Sequence, residues 1–522
     1  MELELAKIAQ MHENRWMVRQ RRKRQKLLVA ELLFDYAKNS TLHGLRYIVD
    51  RQLTIFEKIF WFATFVASLS ICSYHISNVY VKWRTTPIIV SVSEKQVSVG
   101  VVPFPSVTIC PQIKSKASVY NFTEQTARLM ESINDCSDEE IQKYNDIAML
   151  CNYIYETNDY LILRSFNLSS VSNILQSIDE VSPFHFEIFF TCKIYGVYVN
   201  CLNLLKRVLT AEGMCYNFNG IAAEELFRNR SSFMYNITEN DTPSQGWTLD
   251  AGERDGLCNG MNSGYKIYLH NPVDIPESSL YYYAATYNQV SSLAVNLNIL
   301  TTSETLQSYK PEIRQCYFAK EKYLRFFKIY TAKNCRFECL ANNTLKKCNC
   351  LPYYMPHERG TNICRRIDLT CVEQAHADMV MRELQIETEI INDDYCRCLP
   401  ACDSIEYDAE ILKTDYNLGD FFSKYFKSAF NNNVVISSED VFEQIKFSKI
   451  EMYFKKPYYV SMRRSELFGW TDFVANIGGL LGVFLGFSFL SLVEIIYFLT
   501  IRLGFTLKRD IDEEKNTRNT TE

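Results

Sequence analysis

Enzyme signatures are missing from this sequence of 522 residues. His12 and Glu13 are not followed by the second histidine of a zinc-protease helix, and the chain has neither a G-x-S-x-G turn nor a G-x4-G-K phosphate loop. Internal repeats, low-complexity tracts and linkers rich in proline, glycine and serine are missing as well. The sequence therefore predicts no catalytic residue, no metal site and no cofactor.

Two long apolar segments stand out instead. The first, residues 54–81, has no charged residue from Ile59 to Val81, and the second covers residues 473–501. Each exceeds the roughly 20 residues that cross a hydrocarbon layer about 30 Å thick. The first segment is not a signal peptide, because a long charged arm precedes it. We therefore expect two membrane spans.

The arm, residues 1–53, predicts the orientation. Basic residues beside a span mark the cytoplasmic side, and the arm carries Arg19, Arg21, Arg22, Lys23, Arg24 and Lys26. With two spans in the plasma membrane, the tail of residues 502–522 returns to the cytoplasm and residues 82–472 lie outside the cell. The basic run is expected to contact membrane lipid and no nucleic acid.

Cysteine usage agrees with this topology. Of the 18 cysteines, Cys72 lies in the first apolar segment and the other 17 lie between Cys110 and Cys402. Oxidising compartments use cysteines as cross-links. The C-x3-C and C-x-C spacings of residues 316–402 could also bind zinc, but outside the cell we expect a disulfide ladder. Sequons predict glycosylation at Asn121, Asn167, Asn229, Asn236, Asn240 and Asn342.

The outer region has a mixed pattern. Partial alternation predicts strands at Pro87–Val99 and Ser291–Leu300, whereas Ala375–Ile391 and Ser437–Phe447 have helical periodicity. Its roughly 390 residues exceed what one hydrophobic core usually covers, so we expect several packed subdomains. The predicted fold class is an α+β membrane protein, with two transmembrane helices flanking a large disulfide-rich extracellular domain.

The second apolar segment allows two interpretations. Gly478, Gly482 and Gly486 are four residues apart, which bares one face of a helix and lets other helices approach closely. Glu494 is ionisable, and such a residue within a bilayer usually faces a bundle interior or a water-filled path. A pore helix and a single anchor helix with a dimerisation face both fit this segment.

Several motifs occur in a fixed order along the chain. They are Thr41-Leu42-His43-Gly44, then FPSVTIC from Phe104 to Cys110, GMCYNFN from Gly213 to Asn219, and the second segment from Asn476 to Glu494. This ordered set resembles the degenerin/epithelial sodium channel family. The run from Cys348 to Pro356 is similar to the insect pickpocket branch of that family. The resemblance extends from the arm to the end of the second span.

The resemblance implies a trimeric, sodium-selective, amiloride-sensitive and voltage-independent cation channel, built from identical or related subunits and opened by an extracellular stimulus in sensory or epithelial tissue. It implies a β-sheet palm with helical finger and thumb subdomains, the thumb being residues 316–402. The selectivity filter would be Gly486, Phe487 and Ser488, whose unwound backbone oxygens face water. Pore or gating roles are implied for Ala475, Gly478, Gly479, Gly482, Glu494, His43 and Gly44. The permeant sodium ion is not a cofactor.

A disulfide pairing also follows from the resemblance. The implied pairs are Cys110 with Cys215, Cys192 with Cys201, Cys316 with Cys402, Cys335 with Cys398, Cys339 with Cys396, Cys348 with Cys371, and Cys350 with Cys364. For the remainder, we expect Cys136 to pair with Cys151, leaving Cys258 free or linked to a partner.

Some features depart from the family pattern. Vertebrate members have a tryptophan shortly before the first ladder cysteine, whereas this chain has Tyr309-Lys310-Pro311-Glu312-Ile313-Arg314-Gln315 there, and its tail lacks a P-P-x-Y motif. A cysteine-rich receptor or adhesion protein and an ATP-gated two-span channel stay open as alternatives. The stimulus stays open too, because the outer region has only four histidines, His185, His270, His357 and His376.

Overall fold

A computed structural model describes residues 24, 27–85, 88–131, 136–151, 174–228, 255–259, 263–276, 281–387, 396–416 and 447–519 of this chain. The chain divides into two compact units. The terminal unit joins Met1–Ile89 to Ser465–Glu522, and the middle unit is Val90–Arg464.

The helices with defined bounds in the described residues are named here in chain order. They are α1 (Leu45–Val49), α2 (Ile55–Thr85), α3 (Phe122–Glu131), α4 (Asp138–Ala148), α5 (Ile174–Val181), α6 (His185–Ile188), α7 (Cys201–Leu204), α8 (Ala223–Leu226), α9 (Gly256–Asn259), α10 (Pro311–Arg314), α11 (Ala332–Cys348), α12 (Leu369–Glu387), α13 (Trp470–Leu485), α14 (Phe489–Ile496) and α15 (Leu503–Asn519). A further helix covers residues 27–39.

The strands of the described residues are β1 (Ile88–Ser98), β2 (Ser106–Pro111), β3 (Cys192–Ile194), β4 (Val197–Val199), β5 (Leu205–Thr210), β6 (Gly213–Phe218), β7 (Tyr265–His270), β8 (Tyr283–Ala285), β9 (Gln289–Thr302), β10 (Ser404–Asp415), β11 (Lys449–Phe454) and β12 (Tyr458–Glu466). The strands predicted at Pro87–Val99 and Ser291–Leu300 are confirmed as β1 and β9, and the helix predicted at Ala375–Ile391 as part of α12. The helix predicted at Ser437–Phe447 lies almost wholly outside the described residues.

The terminal unit contains the apolar helices. α2 has 31 residues, and a second long helix runs from Phe489 to Asp510 through a π-helical turn at Tyr497–Arg502. Both are long and apolar enough to cross a membrane. The shorter α13 packs along α2, where the Trp83 ring stacks on Phe473 with centroids 4.7 Å apart and His75 stacks on Phe484 at 6.0 Å.

Two five-stranded sheets form the centre of the middle unit. One has the order β1-β12-β9-β10 with β11 also paired to β9, and the other has the order β5-β6-β2-β7-β8. β9 and β10 are antiparallel along their whole length, from Gln289 opposite Asp415 to Leu300 opposite Ser404. All six residues of β2 are buried, including its polar Ser106 and Thr108.

The three largest apolar clusters of the described residues lie in the middle unit. The first lies between the two sheets and includes Val107, Ile267, Leu293, Val295 and Ala409. The second fills the space between α3, α4 and α5, and includes Phe122, Tyr144 and Ile178. The third lies beneath α11 and includes Phe327, Phe337 and Leu351. The predicted α+β fold, with apolar helices on either side of a disulfide-rich region, is therefore confirmed.

Eight disulfides cross-link the middle unit. Seven are the pairs that the resemblance implies, from Cys110–Cys215 to Cys350–Cys364. The eighth joins Cys151 to Cys258, so the expected pairing of Cys136 with Cys151 is wrong. The reason is packing. Cys151 and Cys258 both lie in the core beneath α3 and α4, which brings together residues separated by 107 positions in the sequence.

Candidate pore and gating site

The second apolar segment is broken in the middle. α13 ends at Leu485, and Gly486 follows in the left-handed conformation with φ of 67°. The N–H of Gly486 donates to the carbonyl of Gly482 at 3.0 Å and that of Phe487 to Leu481 at 3.2 Å, which closes the helix end. Gly486, Phe487 and Ser488 thus interrupt what would otherwise be one long rod.

Ser488 begins the next helix. Its hydroxyl accepts the N–H of Ser491 at 3.3 Å, and the Ser491 hydroxyl accepts the N–H of Ser488 at 3.1 Å. A serine in this position satisfies backbone N–H groups that lack partners at a helix start. The sequence G-F-S therefore stops one helix at its glycine and starts another at its serine, within three residues.

His43 lies directly against this break. Its N–H donates to the carbonyl of Leu485 at 3.0 Å. A Cβ atom added to Gly486 would lie 1.6 Å from His43 Nδ1, a distance that no real side chain tolerates. Gly44, with φ of 93°, turns the chain into α1. The predicted gating motif and the predicted filter are therefore neighbours within one chain.

Thr41 brings the second polar contact. Its hydroxyl lies 2.8 Å from the hydroxyl of the buried Ser491 and 3.0 Å from Oε2 of Glu494. The Thr41 N–H points to the same carboxylate oxygen at 3.4 Å. Thus the carboxylate in the span meets donors from the amino-terminal arm. The sequence analysis did not pair Thr41 with Glu494, although an ionisable residue in a span needs a polar partner.

These contacts belong to a longer alignment. Arg24 and residues 27–44, here together called the strap, run antiparallel to residues 485–510, so that residue numbers rise on one side as they fall on the other. The aligned pairs are Arg24 with Asp510 at 2.8 Å, Asp35 with Arg502, Tyr36 edge-on to Phe498 at 5.3 Å, Thr41 with Glu494, and His43 with Leu485. Ion pairs lie at the end of the strap far from the break, and hydrogen bonds of Thr41 and His43 lie near the break.

The remaining predicted residues lie on α13. Ala475 is exposed and lies about one and a half turns after the start of α13. A Cβ atom added to Gly482 would lie 3.8 Å from the carbonyl oxygen of Phe487. A Cβ added to Gly478 or Gly479 meets no described atom of the chain within 4 Å. These two glycines therefore leave an open face on the helix.

Two of the predicted glycosylation sites can be located. Asn342 is an exposed residue of α11, and Asn121 precedes α3, where its side-chain oxygen accepts the N–H of Glu124 at 3.1 Å. Both belong to the middle unit. The sites predicted at Asn167, Asn229, Asn236 and Asn240 lie outside the described residues.

The fold and the broken second span together define a two-span cation channel subunit of the membrane. Residues 36–498 match the family model described as amiloride-sensitive sodium channel, and the chain belongs to this family of ion channels, which are not enzymes. It is 28% identical to Pickpocket protein 28 of Drosophila melanogaster, over 90% of this chain and 78% of the relative.

Other relatives extend the comparison. The chain is 25% identical to the sodium channel protein Nach of Drosophila ananassae, covering 90% of this chain and 86% of that protein. It is 20% identical to the bile acid-sensitive ion channel of Homo sapiens, over 89% of this chain and 85% of that protein. The similarity therefore includes both apolar segments and the region between them.

Proposed function

We propose that this chain is one subunit of a trimeric, sodium-selective and amiloride-sensitive channel, assembled from identical or related subunits and opened by an extracellular stimulus. Its middle unit lies outside the cell and both of its termini are cytoplasmic. The observation that carries this proposal is the break at Gly486–Ser488 in the second apolar segment.

The break supports a selectivity filter. An anchor helix gains nothing from interrupting its backbone in lipid, because unpaired backbone groups are costly there. Unwound backbone is tolerated where it lines water, and its carbonyl oxygens replace the hydration shell of a cation. Three copies of Gly486, Phe487 and Ser488 around one axis would form such a ring, in which the large Phe487 side chain need not touch the ion.

The open face of α13 supports assembly. Glycines four residues apart allow helices to approach closely, and the Gly478 and Gly479 face has room for another copy. One broken helix cannot enclose a pore. Three copies is the number that the family resemblance implies.

The strap supports gating from the inner end. His43 and Thr41 contact the residues just before and just after the break, so a movement of the strap changes the backbone that frames the filter. Glu494 lies on the same side of the break as the carboxyl terminus, and its contact with Thr41 makes it part of this inner mouth.

Current measurements in oocytes test the function. The full chain is expressed alone and with a related subunit, and current is recorded in sodium, in potassium and in a large organic cation, with and without amiloride. We expect an amiloride-blocked current that reverses near the sodium equilibrium potential. Surface protein is quantified in the same cells, so that a silent channel is not mistaken for an absent one.

A filter variant tests the assignment of Ser488. Replacing Ser488 with leucine removes the hydroxyl that begins α14 and crowds the proposed ring, so we expect sodium selectivity to be lost. Ser70→Leu is the matched control, because the Ser70 hydroxyl donates to the Val66 carbonyl within its own helix. An unchanged reversal potential in Ser488→Leu would remove the filter from these residues.

The same recordings separate the alternatives. A receptor or adhesion protein would reach the surface and pass no current under any of these conditions. An ATP-gated channel would conduct when ATP is applied and would ignore amiloride. Either result would contradict the proposed function.

A further inference from the structure

A recess lies in the middle unit, where the two sheets meet the first turn of α11. Its volume is about 240 Å³, and its walls include Tyr268, Tyr281, Tyr283, Tyr407, Asp408 and Lys333. These residues come from β7, the segment leading into β8, β10 and α11. We call this recess the tyrosine pocket. It is distinct from the pore site, all of which belongs to the terminal unit.

The phenol rings of this pocket are fixed through their hydroxyl groups. Tyr283 donates to Asp408 Oδ1 at 2.8 Å and accepts the N–H of Ala409 at 2.7 Å. Tyr407 donates to the carbonyl of Pro103 at 2.7 Å. With these hydroxyls engaged in the protein, the aromatic rings are the surfaces that remain to contact a guest. Tyr281 packs edge-on against Tyr283 with centroids 5.3 Å apart and is 67% exposed, which places it at the mouth.

The charges around the pocket are unequal. Lys333 pairs with Oδ2 of the buried Asp274 at 3.7 Å. His270 bonds to Thr108 and to the Asn271 carbonyl, and burial lowers the pKa of His270 to about 4, so this wall is neutral at physiological pH. Asp408 is exposed, and within the described residues it accepts hydrogen bonds from two neutral donors, the Tyr283 hydroxyl and the Ala409 N–H. The pocket wall therefore carries the negative charge of Asp408 in excess, because the charge of Lys333 is paired with Asp274.

We propose that the tyrosine pocket binds a small organic monocation of the primary amine class, with its ammonium group beside Asp408 and its apolar body against the tyrosine rings. Cations are attracted to the faces of aromatic rings, and this attraction grows when the site is partly desolvated. The volume is below the roughly 300–1,000 Å³ typical of drug-sized sites, which favours a ligand of few atoms.

The position of the pocket gives the ligand a role. A molecule held between β10 and the first turn of α11 favours whichever arrangement keeps these elements together. A ligand shifts a conformational equilibrium only by the difference in its affinities for the two states. Its effect on current rests on the proposed channel function, whereas its binding does not.

Binding is tested on the purified full chain in lipid nanodiscs, by calorimetry with 2-phenylethylamine as the probe. The neutral probe 2-phenylethanol has the same number of non-hydrogen atoms and lacks the charge. We expect the amine to bind and the alcohol to bind at least about tenfold more weakly, a difference that corresponds to about 1.4 kcal/mol.

Three variants locate the site. Asp408→Asn removes the charge and keeps an oxygen for the Tyr283 hydroxyl, so we expect the amine to lose its advantage over the alcohol. Glu406→Gln is the matched control, because Glu406 is an exposed carboxylate on the same strand and is not part of the pocket wall. Tyr281→Leu changes an exposed ring and is expected to weaken binding severalfold without affecting folding.

The probe comparison, the variants and the sodium currents each test a different part of the proposal. Equal binding of amine and alcohol, or unchanged binding in both Asp408→Asn and Tyr281→Leu, would overturn the proposal. If the amine binds as expected but leaves sodium currents unaltered, the site is supported and its regulatory role is refuted. A chain that binds the amine and never conducts contradicts the channel function alone.

Discussion

Gly486 has two independent reasons to be glycine. Its φ of 67° lies in the left-handed region, which a residue with a side chain adopts only at a cost. The space that a Cβ would occupy is filled by the His43 ring. Either reason alone would disfavour substitution, and together they couple the shape of the break to the strap.

Gly486→Ala is therefore expected to lower the thermal stability of the detergent-purified channel and to abolish normal current. Gly504→Ala is the control, because an added Cβ at Gly504 meets no described atom within 4 Å. Adding His43→Ala to Gly486→Ala should recover part of the lost stability, since the clash is relieved while the backbone strain remains. No recovery in the double variant would show that His43 does not press on Gly486.

His270 is the titratable group whose burial has the clearest consequence for pH. Desolvation lowers its pKa to about 4, against an ordinary value near 6.5. Between these two values the unfolded chain binds a proton that the folded chain does not. Burying this imidazole therefore contributes stability that is fully present above pH 6.5 and is lost as the pH falls toward 4.

From pH 7.5 to pH 5.5, we expect His270 to reduce the free energy of unfolding by about 1 kcal/mol. The measurement is the pH dependence of thermal unfolding for the purified chain and for His270→Gln, which should show a shallower slope. The exposed His376 provides the control variant His376→Gln. Identical slopes for the native chain and His270→Gln would contradict this assignment.

Among the elements, the sheet containing β2 and β7 carries a partly buried ionic cluster. The Glu212 carboxylate accepts from the ammonium groups of Lys114 and Lys266, each at 2.7 Å. Burial alone would raise the pKa of Glu212, but the two ammonium groups lower it below its usual value. Burial lowers the pKa of Lys114, which shows how much this lysine depends on its partner.

Glu212→Gln is expected to destabilise the chain by about 3 kcal/mol, because it leaves two lysines without their counter-charge in a poorly solvated place. Glu180→Gln breaks the exposed pair with Lys143 and should cost less than about 1 kcal/mol. Chemical denaturation of the purified chain compares the two. Equal effects would mean that the cluster is as well solvated as an ordinary surface pair.

The elements differ in how well the sequence predicts them. β1 and β9 were predictable from partly alternating apolar residues, and the pairs of the thumb ladder were implied by the family resemblance. The Cys151–Cys258 bond was not, because it depends on how α3, α4 and α9 pack rather than on nearness in sequence. The tyrosine pocket was equally hidden, since its walls come from five separated stretches of the sequence.

For the whole molecule, the open face of α13 predicts a gating phenotype. Ala475 is exposed on this helix, where the proposed trimer brings the helices of three copies together. A larger side chain there would obstruct the closed arrangement, so Ala475→Val should give a persistent, amiloride-blocked current in oocytes. Ala475→Ser adds less bulk and should stay closed at rest. A silent Ala475→Val at normal surface density would count against this role.

Topology was the most predictable property of the whole chain. Apolar length indicated two spans and the family resemblance implied a break at Gly486–Ser488, and the structure has apolar helices and a break at those places. The alignment of the strap with the second span was not predictable, because Thr41 and Glu494 are 453 residues apart and each fits several partners. Only the folded chain shows which donor meets the carboxylate.

The large separation in sequence between Thr41 and Glu494 also determines when their contact can form during synthesis of the chain. Leu485 and Glu494 are synthesised near the end of translation. The hydrogen bonds from His43 to Leu485 and from Thr41 to Glu494 therefore cannot form until then. A message truncated before codon 470 would yield a chain without α13, the helix against which α2 packs. The contacts between the strap and the second span therefore form only after residues 485–494 have been synthesised.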